Sequence, residues 1–214
     1  MQTITLEHTL PLVFASEEIP PSDVWLSSVT FRKGEFALVE AASGGGKSSM
    51  CSFIFGARTD YQGSVFFDRT DARSLSVNDW LSLRRTSLAY LPQELSLFPE
   101  LSALENIRLK NRLTGHASDR QISLWLEALG IDSRRDFPVG RMSVGQQQRV
   151  AIIRCLCQPF DFLLVDEPVS HLDALNNDLA AEIIAEEAGR QGAGIIATSV
   201  GNHLNLNYSR RLAL

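Results

Sequence analysis

The sequence predicts an α/β protein built on a mostly parallel sheet, and three observations predict it. Short apolar runs without alternation recur, and each ends in polar or glycine-rich residues. Helical patterns lie between them. One run leads straight into a glycine-rich loop that carries a lysine. Strands read this way when both their faces are covered and neither meets water.

Taken in order, the apolar stretch Leu10-Pro11-Leu12-Val13-Phe14-Ala15 is short, lacks a basic flank and follows Glu7, so no secretory leader is expected. Residues 16–23 (SEEIPPSD) read as a loop, because Pro20-Pro21 fits neither a helix interior nor a central strand. Lys33-Gly34 reads as a turn between two short strands. The core strands are Phe36-Ala37-Leu38-Val39, Ser87-Leu88-Ala89-Tyr90-Leu91, Phe162-Leu163-Leu164-Val165 and Ile195-Ile196-Ala197-Thr198. Ile122, Trp125, Leu126 and Leu129 fall at helical spacing, with Gly130 as the stop. Leu175, Leu179 and Ile183 are four apart, with Asp173 as N-cap. Both stripes read as core packing. Another helix is expected over residues 150–157. Pattern alone marks residues 94–142 as a helical insertion within a single domain spanning 1–214.

Composition narrows the function. The chain has 214 residues, 44% hydrophobic and 21% charged, which is an ordinary globular mixture. Its formal net charge of -5 is the wrong sign for a nucleic-acid footprint, so no nucleic-acid partner is expected. The pairs Arg84-Arg85, Arg134-Arg135 and Arg210-Arg211 read as solvated surface. No apolar run approaches the roughly 18 residues that span a bilayer, so a cytoplasmic chain is expected. The three cysteines, Cys51, Cys155 and Cys157, are too few for a disulfide framework and read as structural.

Ser43-Gly44-Gly45-Gly46-Lys47-Ser48-Ser49 follows a strand and opens a helix. Glycines let backbone N–H groups turn around phosphate oxygens, and the helix N-terminus adds partial positive charge. Lys47 suits the β- and γ-phosphates, and the Ser48 hydroxyl suits Mg²⁺. Ala41 stands where the usual pattern begins with glycine. The strand ending in Asp166-Glu167 supplies the complementary acids. Asp166 is placed to hold Mg²⁺ through water, and Glu167 to accept a proton from, or orient, an attacking water. Ser143-Val144-Gly145-Gln146-Gln147-Gln148-Arg149 puts small residues at a second helix start, which is a second anion-binding surface.

The order of these motifs resembles the nucleotide-binding subunit of ATP-binding-cassette (ABC) transporters from about residue 31 to residue 203. The phosphate loop comes first and Tyr90-Leu91-Pro92-Gln93 second. Met142-Ser143-Val144-Gly145-Gln146 follows, then Leu164-Val165-Asp166-Glu167-Pro168 and Ser170-His171-Leu172-Asp173. The resemblance implies a phosphate-loop core with an antiparallel β subdomain and a helical insertion. It implies ATP and Mg²⁺, with Ser43 to Ser49 on the phosphates and Ser48, Gln93 and Asp166 at the metal. Glu167 would be the catalytic carboxylate, with Lys47 and Gln93 beside it, and Gln93 would link to the insertion. Ser143, Gly145 and Gln146 would contact ATP held by the opposite subunit. Asp173 would lie in the loop that joins two subunits. The implied assembly is a head-to-tail dimer, with itself or with a second cassette, on the cytoplasmic face of the membrane. Separate transmembrane subunits would move the cargo.

The chain departs from the family pattern at named positions. Val144 replaces the first signature glycine, beside the γ-phosphate contact. Ser199 stands where the family carries its switch histidine; it keeps a hydroxyl donor but no charge, and His203 lies four residues on. The adenine-stacking aromatic has no counterpart near Glu18, with Phe14 upstream and Trp25 downstream. These departures predict an ATPase that is slow in isolation. The alternative is a nucleotide-gated regulatory module with little hydrolysis. The compact insertion and residues 97–106 are similar to short exporter-type cassettes used for lipoprotein release, macrolide efflux or cell division.

Overall fold

The computed structural model describes residues 1–16, 19–168 and 172–214. A four-stranded antiparallel sheet in the order β2-β1-β4-β5 stands beside a five-stranded parallel sheet in the order β6-β7-β8-β3-β9. The antiparallel strands are β1 (Thr3–Pro11), β2 (Ser28–Arg32), β4 (Tyr61–Phe67) and β5 (Thr70–Asp71). The parallel strands are β3 (Phe36–Glu40), β6 (Leu88–Leu91), β7 (Phe162–Asp166), β8 (Gly194–Ser199) and β9 (Arg210–Ala213). The helices are α1 (Lys47–Ile54), α2 (Val77–Thr86), α3 (Ala103–Asn111), α4 (Asp119–Ala128), α5 (Val144–Leu156) and α6 (Ala174–Gln191). This is the α/β class read from the apolar runs.

The parallel sheet separates two apolar cores. Leu38, Leu163, Val165, Ile195 and Ala197 face one core with residues of α3, α4, α5 and α6. Their neighbours Ala37, Val39, Phe162, Leu164 and Ile196 face the other, with α1 and the antiparallel sheet. Every residue of β7 and of β8 is buried, so these strands lose the hydrophobic alternation that one solvated face would impose.

The Lys33-Gly34 turn marks β2, but β1 and β4 are not legible as apolar runs because they are half-buried. On β1, Ile4 and Leu6 are fully buried and Glu7 is exposed. β1 then bulges between Glu7 and Leu10, where His8 takes φ +49°. Gly63 on β4 faces that bulge with φ +78°, and a Cβ there would lie 2.3 Å from the His8 carbonyl oxygen. Only glycine fits so close an approach.

Helix starts are set by side-chain caps. Ser76 with Asp79, Ser102 with Glu105 and Ser143 with Gln146 form reciprocal capping boxes at α2, α3 and α5. Ser118 and Asp173 cap α4 and α6. The box at Ser143 corrects the expected helix over 150–157: α5 begins six residues earlier, at Val144, because Ser143 and Gln146 satisfy its first N–H groups. Leu175 is a second correction, since it is 69% exposed while Ile183 is buried.

The arginine pairs are not simply solvated. Arg84 donates to the carbonyls of Phe55 and Gly56, closing the end of α1, and lies over the rings of Phe55 and Trp80. Arg210 donates to the Thr30 carbonyl and ties β9 to β2. The segment between α3 and α4 is pinned to α6, where the Glu187 carboxylate meets His116 (2.8 Å), Arg190 (2.6 Å) and Gln191 (2.6 Å). All three cysteines are free and buried. Among the described residues, no helix is long and apolar enough to cross a membrane.

Candidate functional site

The carboxyl ends of β3, β7 and β8 lie side by side, which is where open parallel sheets place their ligands. The glycine loop links β3 to α1. Gly44 and Gly46 take φ +84° and +93°, and Gly46 is the N-cap of α1. A Cβ on Gly45 would come within 3.0 Å of the Ala41 methyl. Ala41 is therefore accommodated where glycine is usual, because Gly45 leaves it room.

Lys47 opens α1 and is only 3% exposed. Its Nζ donates to the carbonyls of Ala41 (3.1 Å) and Ala42 (2.9 Å) and pairs with Glu167 Oε1 at 3.3 Å. Ser43, Gly44 and Ser48 are exposed along the loop mouth. Ser49 accepts from Arg58 at 3.0 Å.

β7 ends in Asp166, 1% exposed. Its Oδ1 accepts from Thr198 Oγ1 at 2.7 Å, and Tyr90 OH lies 3.5 Å from Oδ2. Burial, with Cys51 and Asp166 nearby, pushes the Tyr90 phenol well above its ordinary value, so it stays a donor. Glu167 takes φ +47°, a left-handed conformation rare outside glycine. Its N–H donates to Thr198 Oγ1 (3.2 Å), and its Oε2 accepts from Gln93 Nε2 (3.3 Å). The structure thus brings Lys47, Gln93, Asp166 and Glu167 together.

The signature residues do not join that cluster. Ser143 and Val144 are exposed, and no hydrogen bond among the described residues links Ser143, Gly145 or Gln146 to residues 41–49. Behind them, Arg149 donates to the carbonyls of Gly145 (3.2 Å) and Leu129 (2.8 Å) and to Asn176 Oδ1 (3.0 Å). Asn176 in turn donates to Asp173, whose carboxyl those bonds hold below the usual range. Gly145 and Asp173 are thereby joined in one network through Arg149 and Asn176. Ser170 and His171 lie outside the described residues.

Ser199 is fully buried at the end of β8. Its hydroxyl donates to the Asn202 carbonyl (2.8 Å) and accepts from the Gly201 N–H (3.0 Å). The proton expected to serve the reaction closes a local turn instead. His203 Nε2 lies 3.4 Å from Arg211, and the ring packs on Tyr208.

Two aromatic residues flank the loop. Phe14, Ile19, Pro20 and Trp25 with residues 42–45 line a cavity of about 280 Å³. Trp25 is buried and donates to the Gly45 carbonyl (3.0 Å). Phe14 is half-buried. Glu18 lies outside the described residues. Sequence spacing did not reach Thr198, whose contact with Asp166 follows only from the register of β7 on β8.

The oxygen donors fit Mg²⁺. The Ser48 hydroxyl, the Gln93 carboxamide and the anchored Asp166 carboxylate are hard ligands that leave waters on a small cation.

A family model described as ABC transporter matches residues 26–170. The chain is 33% identical over 191 residues to the lipoprotein-releasing system ATP-binding protein LolD of Novosphingobium aromaticivorans, covering 87% of this chain and 81% of that one. It is 30% identical over 185 residues to LolD of Hyphomonas neptunium, with 85% and 81% covered. A dimeric bacterial ABC transporter cassette superposes with a TM-score of 0.76 at 25% identity, over 92% of this chain and 87% of that one. A post-hydrolysis cassette dimer bound to ADP and Pi gives 0.77 at 23% identity, over 93% and 88%.

Proposed function

Since the chain belongs to the ABC transporter family and is an ATP-binding, ATP-hydrolysing subunit of it, we propose that it works in a head-to-tail cassette dimer on the cytoplasmic face of the membrane. Each subunit gives its phosphate loop to one ATP and its signature to the other. The observation that carries this reading is the convergence of Lys47, Gln93 and Glu167 on one point while Ser143 and Val144 face outward.

Residues 43–49 hold the phosphates with backbone N–H groups, and Lys47 transfers its donors from the Ala41 and Ala42 carbonyls to phosphate oxygens. Phe14 stacks on adenine. Ser48, Gln93 and Asp166 would hold Mg²⁺, which would supply positive charge against the phosphates. Glu167 orients the attacking water and takes its proton as the bond to the γ-phosphorus forms and the bond to the β–γ bridging oxygen breaks, releasing ADP and phosphate. Ser143, Gly145 and Gln146 close over the partner's γ-phosphate. With Ser199 occupied in its own turn, one donor is missing from the charge-stabilising set. That loss costs on the order of 10²–10³ in rate in other enzymes, which supports a slow ATPase in isolation.

The helical insertion, residues 94–142, passes this cycle to separate transmembrane subunits. A groove of about 280 Å³ beside Pro92 supports that docking, because Phe98, Leu109 and Leu113 leave apolar surface exposed around it. The cargo class is lipid-modified protein, in line with the named relatives. The test is phosphate release from Mg-ATP across a range of protein concentrations. The expected rate rises more than linearly and vanishes in Glu167→Gln. A rate strictly linear in protein, with a monomeric mass by light scattering for Glu167→Gln in Mg-ATP, would refute the dimer.

A further inference from the structure

We infer that Thr198 is a positioning residue for this site: one buried hydroxyl sets both the Asp166 carboxylate and the backbone of Glu167. The inference rests on the reading of Asp166 as Mg²⁺ support.

The parallel register pairs Asp166 directly with Thr198 across β7 and β8. Both are buried, Thr198 completely. Its Oγ1 has one proton, and that proton goes to Asp166 Oδ1 at 2.7 Å. The same oxygen accepts the Glu167 N–H at 3.2 Å. The result is a polarised chain from amide to hydroxyl to carboxylate, in which each bond strengthens the next. A group that orients a metal-supporting carboxylate tunes the metal nearly as much as a ligand does.

The second effect is on Glu167. The residue leaves the strand with φ +47°, where side-chain-bearing residues persist only if their surroundings hold them. The bond from its N–H to Thr198 is such a hold. It aims the side chain at Lys47 Nζ and Gln93 Nε2, both 3.3 Å away. Ser199, one residue on, cannot take over, because its hydroxyl is occupied by Asn202 and Gly201.

Threonine therefore does what valine, its near-isostere, cannot, and serine should do it nearly as well. The experiment measures binding of a fluorescent ATP analogue, with and without Mg²⁺, to full-length protein carrying Glu167→Gln so that turnover does not intervene. Thr198→Val is expected to raise the Mg²⁺ needed for half of its effect on binding by about ten-fold or more. Affinity without Mg²⁺ should stay within about two-fold, and Thr198→Ser should restore the Mg²⁺ response. Thr198→Ala and Thr198→Cys carry the same comparison if the valine variant does not fold. An unchanged Mg²⁺ response in the variants, or equal weakening with and without Mg²⁺, would overturn the positioning role. A parent protein whose ATP binding ignores Mg²⁺ would instead sink the metal reading of Asp166, and this inference with it.

Discussion

The loop at 41–49 and the segment at 143–146 both begin helices and are built in opposite ways. In the first, the cation is turned inward: Lys47 is 3% exposed and bonded to its own loop carbonyls and to Glu167. In the second, the capping box closes the helix start on itself, and Val144 stands 49% exposed. One half is completed within the chain. The other caps itself and leaves Ser143 and Val144 at the surface. If the proposed dimer forms, this contrast is what lets a site be shared between two copies while each copy folds alone.

The largest expected effect breaks the inward half. Lys47→Ala should lower phosphate release by on the order of 10³ and weaken ATP binding, because the buried cation has no substitute among its neighbours. If the variant kept normal turnover, the inward half would not be the phosphate site. Val144→Gly tests the outward half, with two effects of opposite sign. Removing the branched side chain should tighten ATP-dependent dimerisation several-fold, read by light scattering. The same change should cost the monomer up to about 0.5–1 kcal/mol through glycine's backbone entropy, read by urea unfolding.

A smaller effect is expected where the outward half is tied down. Asp173→Ala removes the cap of α6 and loosens the Asn176–Arg149 link, which should lower the melting temperature by about 2–4 °C. Asp173→Asn, which still caps, should not. The smallest effect concerns pH. Burial pushes the Glu187 carboxyl up, but bonds from Arg190, His116 and Gln191 outweigh it and hold the group below its ordinary value. Its ionised form therefore contributes stability above the ordinary glutamate value of about 4.3, and that contribution fades as pH falls through the lower folded value. The gap in urea midpoint between the parent and Glu187→Gln should narrow only below about pH 4.

How much of this was legible depends on what each residue faces. β3, β7 and β8 announced themselves because both faces are covered. β1 and β4 did not, since Ile4, Leu6, Val65 and Phe67 bury only one side. The phosphate loop, Gln93 and the acids at the end of β7 were readable from type and order, and the structure gathers them. The first turns of α5 were missed because Gly145 and the glutamines at 146–148 carry no apolar stripe, although the serine and the glutamine three residues later were a legible cap. Thr198 was unreadable without knowing which strand lies beside β7. Ser199 was assigned by its place in a motif, and its hydroxyl is consumed by a turn that one-dimensional spacing does not reveal.

The parallel sheet, as a wall between two separate cores, has a consequence for how the protein comes apart. The two hydrophobic reservoirs share little except the backbone of β3, β7 and β8. The helical side can lose structure transiently while the wall and the antiparallel side persist. Amide hydrogens on the central strands should then exchange with deuterium only through global unfolding. Those of α3 and α4 should exchange by a cheaper local opening. Asp166 ends one of those central strands and Glu167 follows it, so their geometry would be insulated from a local opening of α3 and α4.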